Sequence, residues 1–261
     1  MSSSNPLAQI KTAEQAQFDR LTSYLEQLDA DGWTEQSYCT DWLVYQVVSH
    51  VGSGSRIGGQ RLKAWLGRGP QVSREAMQAV WGHFDSLQPG QMLQAYRDAV
   101  AEYLDVERSA PDDAGGNEVE GYAGRRPLWA YQMGRLWELT CHTWDVYVAR
   151  DRSARLAPEA VRVMAANGQY AGVVMDVQRA PRFRAGFRMT DLGHTYLLDP
   201  GAERPRLQPG IQDCQLVVEG PAEEILRLIA GRHFLPGSRP QLRAATGSTA
   251  DLTALRRAFR P

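Results

Sequence analysis

The chain has 261 residues, with 29 Lys and Arg against 30 Asp and Glu, so its formal charge is −1, and 43% of its residues are hydrophobic. This ordinary globular composition fills one large domain or two modest ones, and it offers no excess of positive charge to a polyanion, which argues against nucleic acid as a partner. The opening MSSSNPLAQ is polar and no apolar run approaches the roughly 20 residues that span a bilayer, so neither signal peptide nor membrane anchor is expected and a cytoplasmic protein follows. Cys39, Cys141 and Cys214 are the three cysteines, with no C-x-x-C pair among them. They support neither a disulfide framework nor a cysteine-rich zinc module, and they suit a reducing compartment. Lys11 and Lys63 are the only lysines beside 27 arginines, a bias that a G+C-rich genome explains without any functional cause.

In chain order, Asn5-Pro6 signals a helix start, and Leu7, Ile10, Ala13, Ala16 or Gln17, Leu21, Tyr24, Leu25 and Leu28 recur at helical spacing until Asp31-Gly32. A second helix is expected after a Thr40 cap, through Trp42, Val47, His50, Ile57 and Leu62 to Gly67. Its centre, GSGSRIGG, carries Gly52, Gly54, Gly58 and Gly59, which predicts close backbone approach or a local break, and a wider cavity for substrate. Further helices are predicted over Ser73 to Phe84, Pro89 to about Arg108, and Pro127 to about Arg150. The polar SAPDDAGGNEVEGYAGRR before the last reads as a loop. Beyond Arg150 the pattern changes: a helix from Pro158 to about Val174, strands over 186–190, 194–199 and 214–220, a helix from Pro221 to Ala230, a strand over 241–247 and a helix from Ser248 to about Phe259. Helices followed by mixed strands and helices predict two domains of different class, residues 1–153 and 154–261, parted within DRSARLA.

The helix LWAYQMGRLWELTCHTWDVYVAR carries the chemistry. Tyr131, Arg135, Glu138, His142 and Asp145 fall on one strip, with Trp129, Met133, Leu136, Trp144 and Tyr147 opposite. Leu128, Leu139 and Val146 border the strip on one side and Trp137, Cys141 and Val148 on the other, so the helix is apolar almost all round and predicted to be buried. Buried polar groups cost several kcal/mol unless they are paired or bind metal. Glu138 and His142, four apart, converge on one point. His50 shares the core-directed face of its helix with Leu43, Val47, Gly54 and Ile57. Two imidazoles and a carboxylate make a three-ligand zinc site with an open fourth position. Spacing alone leaves open a plain helix-surface pair and a satisfied core histidine.

The segment SYCTDWLVYQVVSHV, with Cys-x-x-Trp leading into Val-Val-Ser-His, and WELTCHTWDVYVA resemble the N-terminal domain of the mycothiol-dependent maleylpyruvate isomerase family, a branch of the DinB-like four-helix bundles. CQLVVEGPAEEILRLIAGR and LRAATGSTADLTALRRAF are similar to that family's smaller α/β, sterol-carrier-like C-terminal domain. The resemblance implies a multi-domain α and α+β protein, with zinc or another divalent metal held by His50, Glu138 and His142. It also implies an acidic residue at Asp145 behind a ligand, and Arg232 as a catalytic or carboxylate-gripping group.

The family's chemistry implies a borrowed thiol, mycothiol, ionised at the metal and adding to an electrophilic carbon, in an isomerase or an S-transferase from an actinobacterial source. The chain's own cysteines read as small buried hydrophobes, with Cys141 pointing away from the ligand strip. A thiol-independent zinc enzyme of secondary metabolism and a non-catalytic small-molecule-binding module are the alternatives. Monomer and homodimer both fit.

Overall fold

The computed structural model describes residues 6–121, 124–170, 173–174, 176–179, 183–199, 205–233, 235 and 241–259. It divides into two units, Met1–Ala154 and Arg155–Pro261. The first runs α1 (Pro6–Leu25), α2 (Ala30–Trp33), α3 (Val44–Trp65), α4 (Arg74–Asp85), α5 (Pro89–Arg108), β1 (Glu118–Gly121), β2 (Gly124–Pro127) and α6 (Leu128–Tyr147). The second runs α7 (Pro158–Ala166), β3 (Ala185–Met189), β4 (Thr195–Asp199), β5 (Arg206–Pro209), β6 (Leu216–Gly220), α8 (Ala222–Ile229), β7 (Arg243–Thr246) and α9 (Thr249–Ala258).

Four long helices, α1, α3, α5 and α6, build the first unit, with α3 against α5 and α6, and α1 against α6 and α5. Phe18, Leu21, Val47, Val51, Tyr96, Tyr103 and Leu128 are buried between them. Helix α6 hides nearly its whole circumference, including Leu136, Leu139, Cys141, Trp144 and Val146, as its composition predicts. In the second unit the sheet order is β5-β4-β3-β6-β7, with β3 parallel to β6 and the other pairs antiparallel. Its core includes Phe187, Val218, Ile225, Leu228 and Phe259.

Several boundaries differ from the sequence reading. Asn5, expected to open α1, lies outside the described residues. Helix α1 stops at Leu25 rather than at Asp31-Gly32 because Asp29 starts a new turn, its Oδ1 accepting from Gly32 N at 2.8 Å. Helix α3 begins at Val44, not after Thr40: the amide of Leu43 donates to Gln46 Oε1 at 2.8 Å, and residues before it form a turn. The glycine-rich centre of α3 does not break the helix, nor does it leave a void. A Cβ on Gly52 would stand 2.5 Å from Phe84 Cε1 on α4, and Gly58 and Gly59 face Tyr103 on α5, so these positions are small because neighbours fill the space.

The predicted loop before α6 contains a 3₁₀ turn, Asp112–Gly116, and the β1–β2 hairpin, closed by a glycine at φ +88°, Gly124. Helix α7 ends at Ala166, short of Val174, where a 3₁₀ turn begins at Gly168 and the backbone N–H of Gly168 donates to Tyr196 Oη. Strand β5, only four residues long, is absent from the sequence reading.

Candidate metal centre

His50 lies in the first half of α3, Glu138 at the middle of α6 and His142 one turn further on, and the two helices bring them together. Their three ligand atoms lie within 4.8 Å of one another. Glu138 Oε2 stands 3.4 Å from His50 Nε2 and 3.5 Å from His142 Nε2. Those separations are long for hydrogen bonds to a carboxylate. They match a different geometry: two donors each about 2.1 Å from a tetrahedral ion are about 3.4 Å apart. The side chains of His50 and Glu138 are 42% and 55% exposed, against 10% for His142, so the cluster is open on one side and closed behind His142.

Asp145, fully buried, closes it. Its Oδ2 accepts from His142 Nδ1 at 2.9 Å and from the Cys39 thiol at 3.3 Å. A proton kept on Nδ1 leaves Nε2 as the lone-pair donor facing His50 and Glu138. The turn before α3 supplies the wall: the Tyr38 N–H donates to the Asp145 carbonyl at 3.1 Å, and the Trp42 ring lies 5.1 Å from His50 and 6.2 Å from His142 between centroids. Partial burial opposes the charge on Glu138, but the nearness of the His142 and His50 rings outweighs it and holds the carboxyl well below the ordinary range. Burial likewise disfavours a charged His142, but its bonds to Asp145, Cys39 and Glu138 prevail and raise it. The cluster thus presents a carboxylate whose charge needs a cation, either protons on the rings or an ion between them.

Of the sequence-predicted residues, His50, Glu138, His142 and Asp145 form one cluster. Arg232 belongs to the second unit, in the turn after α8, where its Nη1 donates to the Ala230 carbonyl at 2.7 Å. The expectation that all three cysteines are buried hydrophobes holds only for Cys141; Cys39 and Cys214 are partly exposed, and Cys39 is hydrogen-bonded into the cluster. The Cys-x-x-Trp spacing that carries Cys39 and Trp42 is visible in the sequence. Its contact with Asp145, 106 residues away, is not.

A second polar group lies deeper in the bundle. Tyr103 Oη is 2.7 Å from Gln132 Oε1, 3.2 Å from Glu14 Oε1 and 3.4 Å from Glu107 Oε1, all of them buried. Burial raises both carboxyls, and for Glu14 the neighbouring charge of Glu107 adds to it. Among the described residues no helix is long and apolar enough to cross a membrane.

Residues 15–147 match the family model of the mycothiol maleylpyruvate isomerase N-terminal domain. By sequence, no curated protein matches the chain. Among solved structures, that of a mycothiol-dependent maleylpyruvate isomerase is similar, with a TM-score of 0.66 at 21% identity, over 93% of this chain and 94% of the other. A histidine-to-alanine variant structure of a mycothiol-dependent maleylpyruvate isomerase aligns with TM-score 0.66 at 20% identity over the same shares. The likeness in fold extends across both units, a helical N-terminal bundle and a smaller α/β C-terminal part, and the match over 15–147 covers the whole cluster. The chain therefore belongs to the mycothiol maleylpyruvate isomerase N-terminal domain family.

Proposed function

We propose that His50, Glu138 and His142 hold a divalent metal, zinc by the nature of the donors. With it the protein would use mycothiol to isomerise or conjugate a small, electrophilic, carboxylate-bearing substrate. The carrying observation is the pair of 3.4 and 3.5 Å separations about Glu138 Oε2, which suit donors that would share one small cation on the exposed side of the cluster. A metal ion bound there supplies positive charge that keeps a thiol sulfur ionised, where a free thiol has a pKa of about 8.5.

The chain's own residues supply the rest. Asp145 holds the Nδ1 proton of His142 and fixes its ring. Trp42 shields the two imidazoles from water on one face, and Glu138 offsets charge. In an isomerase the thiolate forms a bond to one carbon of a conjugated double bond, and the displaced electron pair moves onto the conjugated carbonyl. Rotation about the new single bond follows, the electron pair returns, and the same thiolate leaves, so nothing is consumed. In an S-transferase the adduct takes up a proton on carbon and is released. On the family likeness, Arg232 is proposed to grip a substrate carboxylate, a task for which a planar donor fork is suited. Residues 1–153 are read as the DinB-like metal domain and 154–261 as the sterol-carrier-like domain.

Metal analysis of purified protein, followed by calorimetric titration with mycothiol, tests the reading. The expected result is stoichiometric zinc, lost in His50→Ala and His142→Ala, and thiol binding only to zinc-loaded wild type. Zinc without thiol binding at millimolar concentration would favour a thiol-independent enzyme; no metal would favour a binding module.

A further inference from the structure

Arg135 lies on the same strip of α6 as Glu138 and His142, yet the metal centre makes no use of it. Its Nη2 donates to Ser55 Oγ at 3.3 Å, and its guanidinium carbon lies 5.5 Å from the centroid of the Tyr103 ring. Its Nε is buried without a hydrogen-bond partner, and although the charges of Glu14, Glu107 and Glu138 act on it from further off, none of these carboxylates forms an ion pair with it. Both Arg135 and the facing Gly54 on α3 are partly exposed. A Cβ at Gly54 would stand 3.0 Å from Arg135 Nη1, so the missing side chain is what admits the guanidinium to the seam between α3 and α6. Arg135 precedes Glu138 by three residues and Gly54 follows His50 by four, which sets this point about one turn, or roughly 5 Å, along the seam from Glu138 and His50, and about two turns from His142.

A guanidinium is charged at every accessible pH and has no acceptor capacity, so one held among tyrosines without a contacting anion is a site whose natural complement is an anion. Ser55 and the Tyr103 ring hold the plane in place, and they occupy only part of its five-donor fork. We propose that Arg135 is a carboxylate-binding group in the α3–α6 seam, additional to Arg232. It would take a short carboxylate-bearing ligand whose charged end lies about one helical turn from the exposed corner of the metal cluster. This deepens the function proposed above and rests on it for the ligand's role in turnover. The anion site itself is a property of the α3–α6 seam and stands without metal or thiol.

The test is equilibrium binding of maleate to metal-free protein, followed by calorimetry, in wild type, Arg135→Met and Arg135→Lys. Loss of a charge-assisted pair predicts at least about tenfold weaker binding in Arg135→Met. Arg135→Lys, which retains the charge but not the planar fork, is expected to bind several-fold more weakly than wild type, and it decides the matter should Arg135→Met fail to fold. Unchanged maleate affinity in a folded variant, or no saturable binding to wild type, overturns the proposal. Because the measurement uses metal-free protein, a failure of zinc or mycothiol to bind would leave its outcome readable.

Discussion

Two polar groups share the interior of one helical bundle and are built on opposite terms. At the α3–α6 end, His50, Glu138, His142 and Asp145 present an open cluster in which nitrogen and oxygen lone pairs converge from one exposed side. Deeper down, Glu14, Tyr103, Glu107 and Gln132 meet with their side chains buried. The first has basic rings around a carboxylate, which stays ionised. The second sets two carboxyls about one phenol, with the Arg135 guanidinium over the phenol ring but in no ion pair with either carboxyl, and burial raises both. Polar residues inside a bundle therefore do not by themselves mark a metal site. Donor chemistry and access to solvent separate the two.

The largest effect that can break this contrast is removal of a ligand. Zinc affinity of ~10–16 kcal/mol shared by about four donors predicts that His142→Ala weakens zinc binding by more than about a hundredfold in a chelator competition. Glu14→Gln should leave zinc affinity unaltered in the same assay; equal losses in the two variants would show that the groups are not distinct. Asp145→Asn tests the orienting bond to His142 Nδ1, and about a 10–100-fold loss of affinity is expected, with fold retained by circular dichroism.

Cys39 acts one bond further out, through Asp145. Cys39→Ala is expected to weaken zinc binding a few-fold, while Cys39→Ser, which still donates, restores it. Identical affinities in the two variants would reduce Cys39 to packing. The smallest effect is on stability. A carboxyl whose folded pKa is raised contributes least when ionised, so the stability associated with Glu14 is present at low pH and falls as pH rises through its elevated value. Glu14→Gln should then melt higher than wild type at alkaline pH, by about 1 kcal/mol, with the difference closing as the pH falls below the ordinary carboxylate range. A pH-independent difference would mean that Glu14 carries no buried charge.

Much of the site was legible because helical periodicity is a local property. Glu138, His142 and Asp145 share a strip, and the apolar flanks of α6 announce its burial. The role of Cys39 was not legible, since a cysteine in a turn carries no periodic signal and its partner is on another helix. Of the readings that the α3 glycines allow, close approach holds, while the break and the wider cavity do not. Whether a small residue leaves a hole or admits a neighbour depends on what stands opposite, and Phe84, Tyr103 and Arg135 stand there. The β1–β2 hairpin and strand β5 were missed because runs of four residues are too short for alternation to show.

Residue type and spacing along each helix were enough to nominate His50, Glu138 and His142 and to separate a helical half from a mixed one, because both follow from the 3.6-residue repeat and from which faces are apolar. The separation between His50 and Glu138 and the approach of Arg135 to Gly54 depend on how α3 and α6 cross, whereas the bond that His142 donates to Asp145 lies within α6. That crossing is set by side chains packing between helices some 80 to 90 residues apart in the chain, as His50 with Glu138 and Ser55 with Arg135 show, and no pattern within either helix contains it.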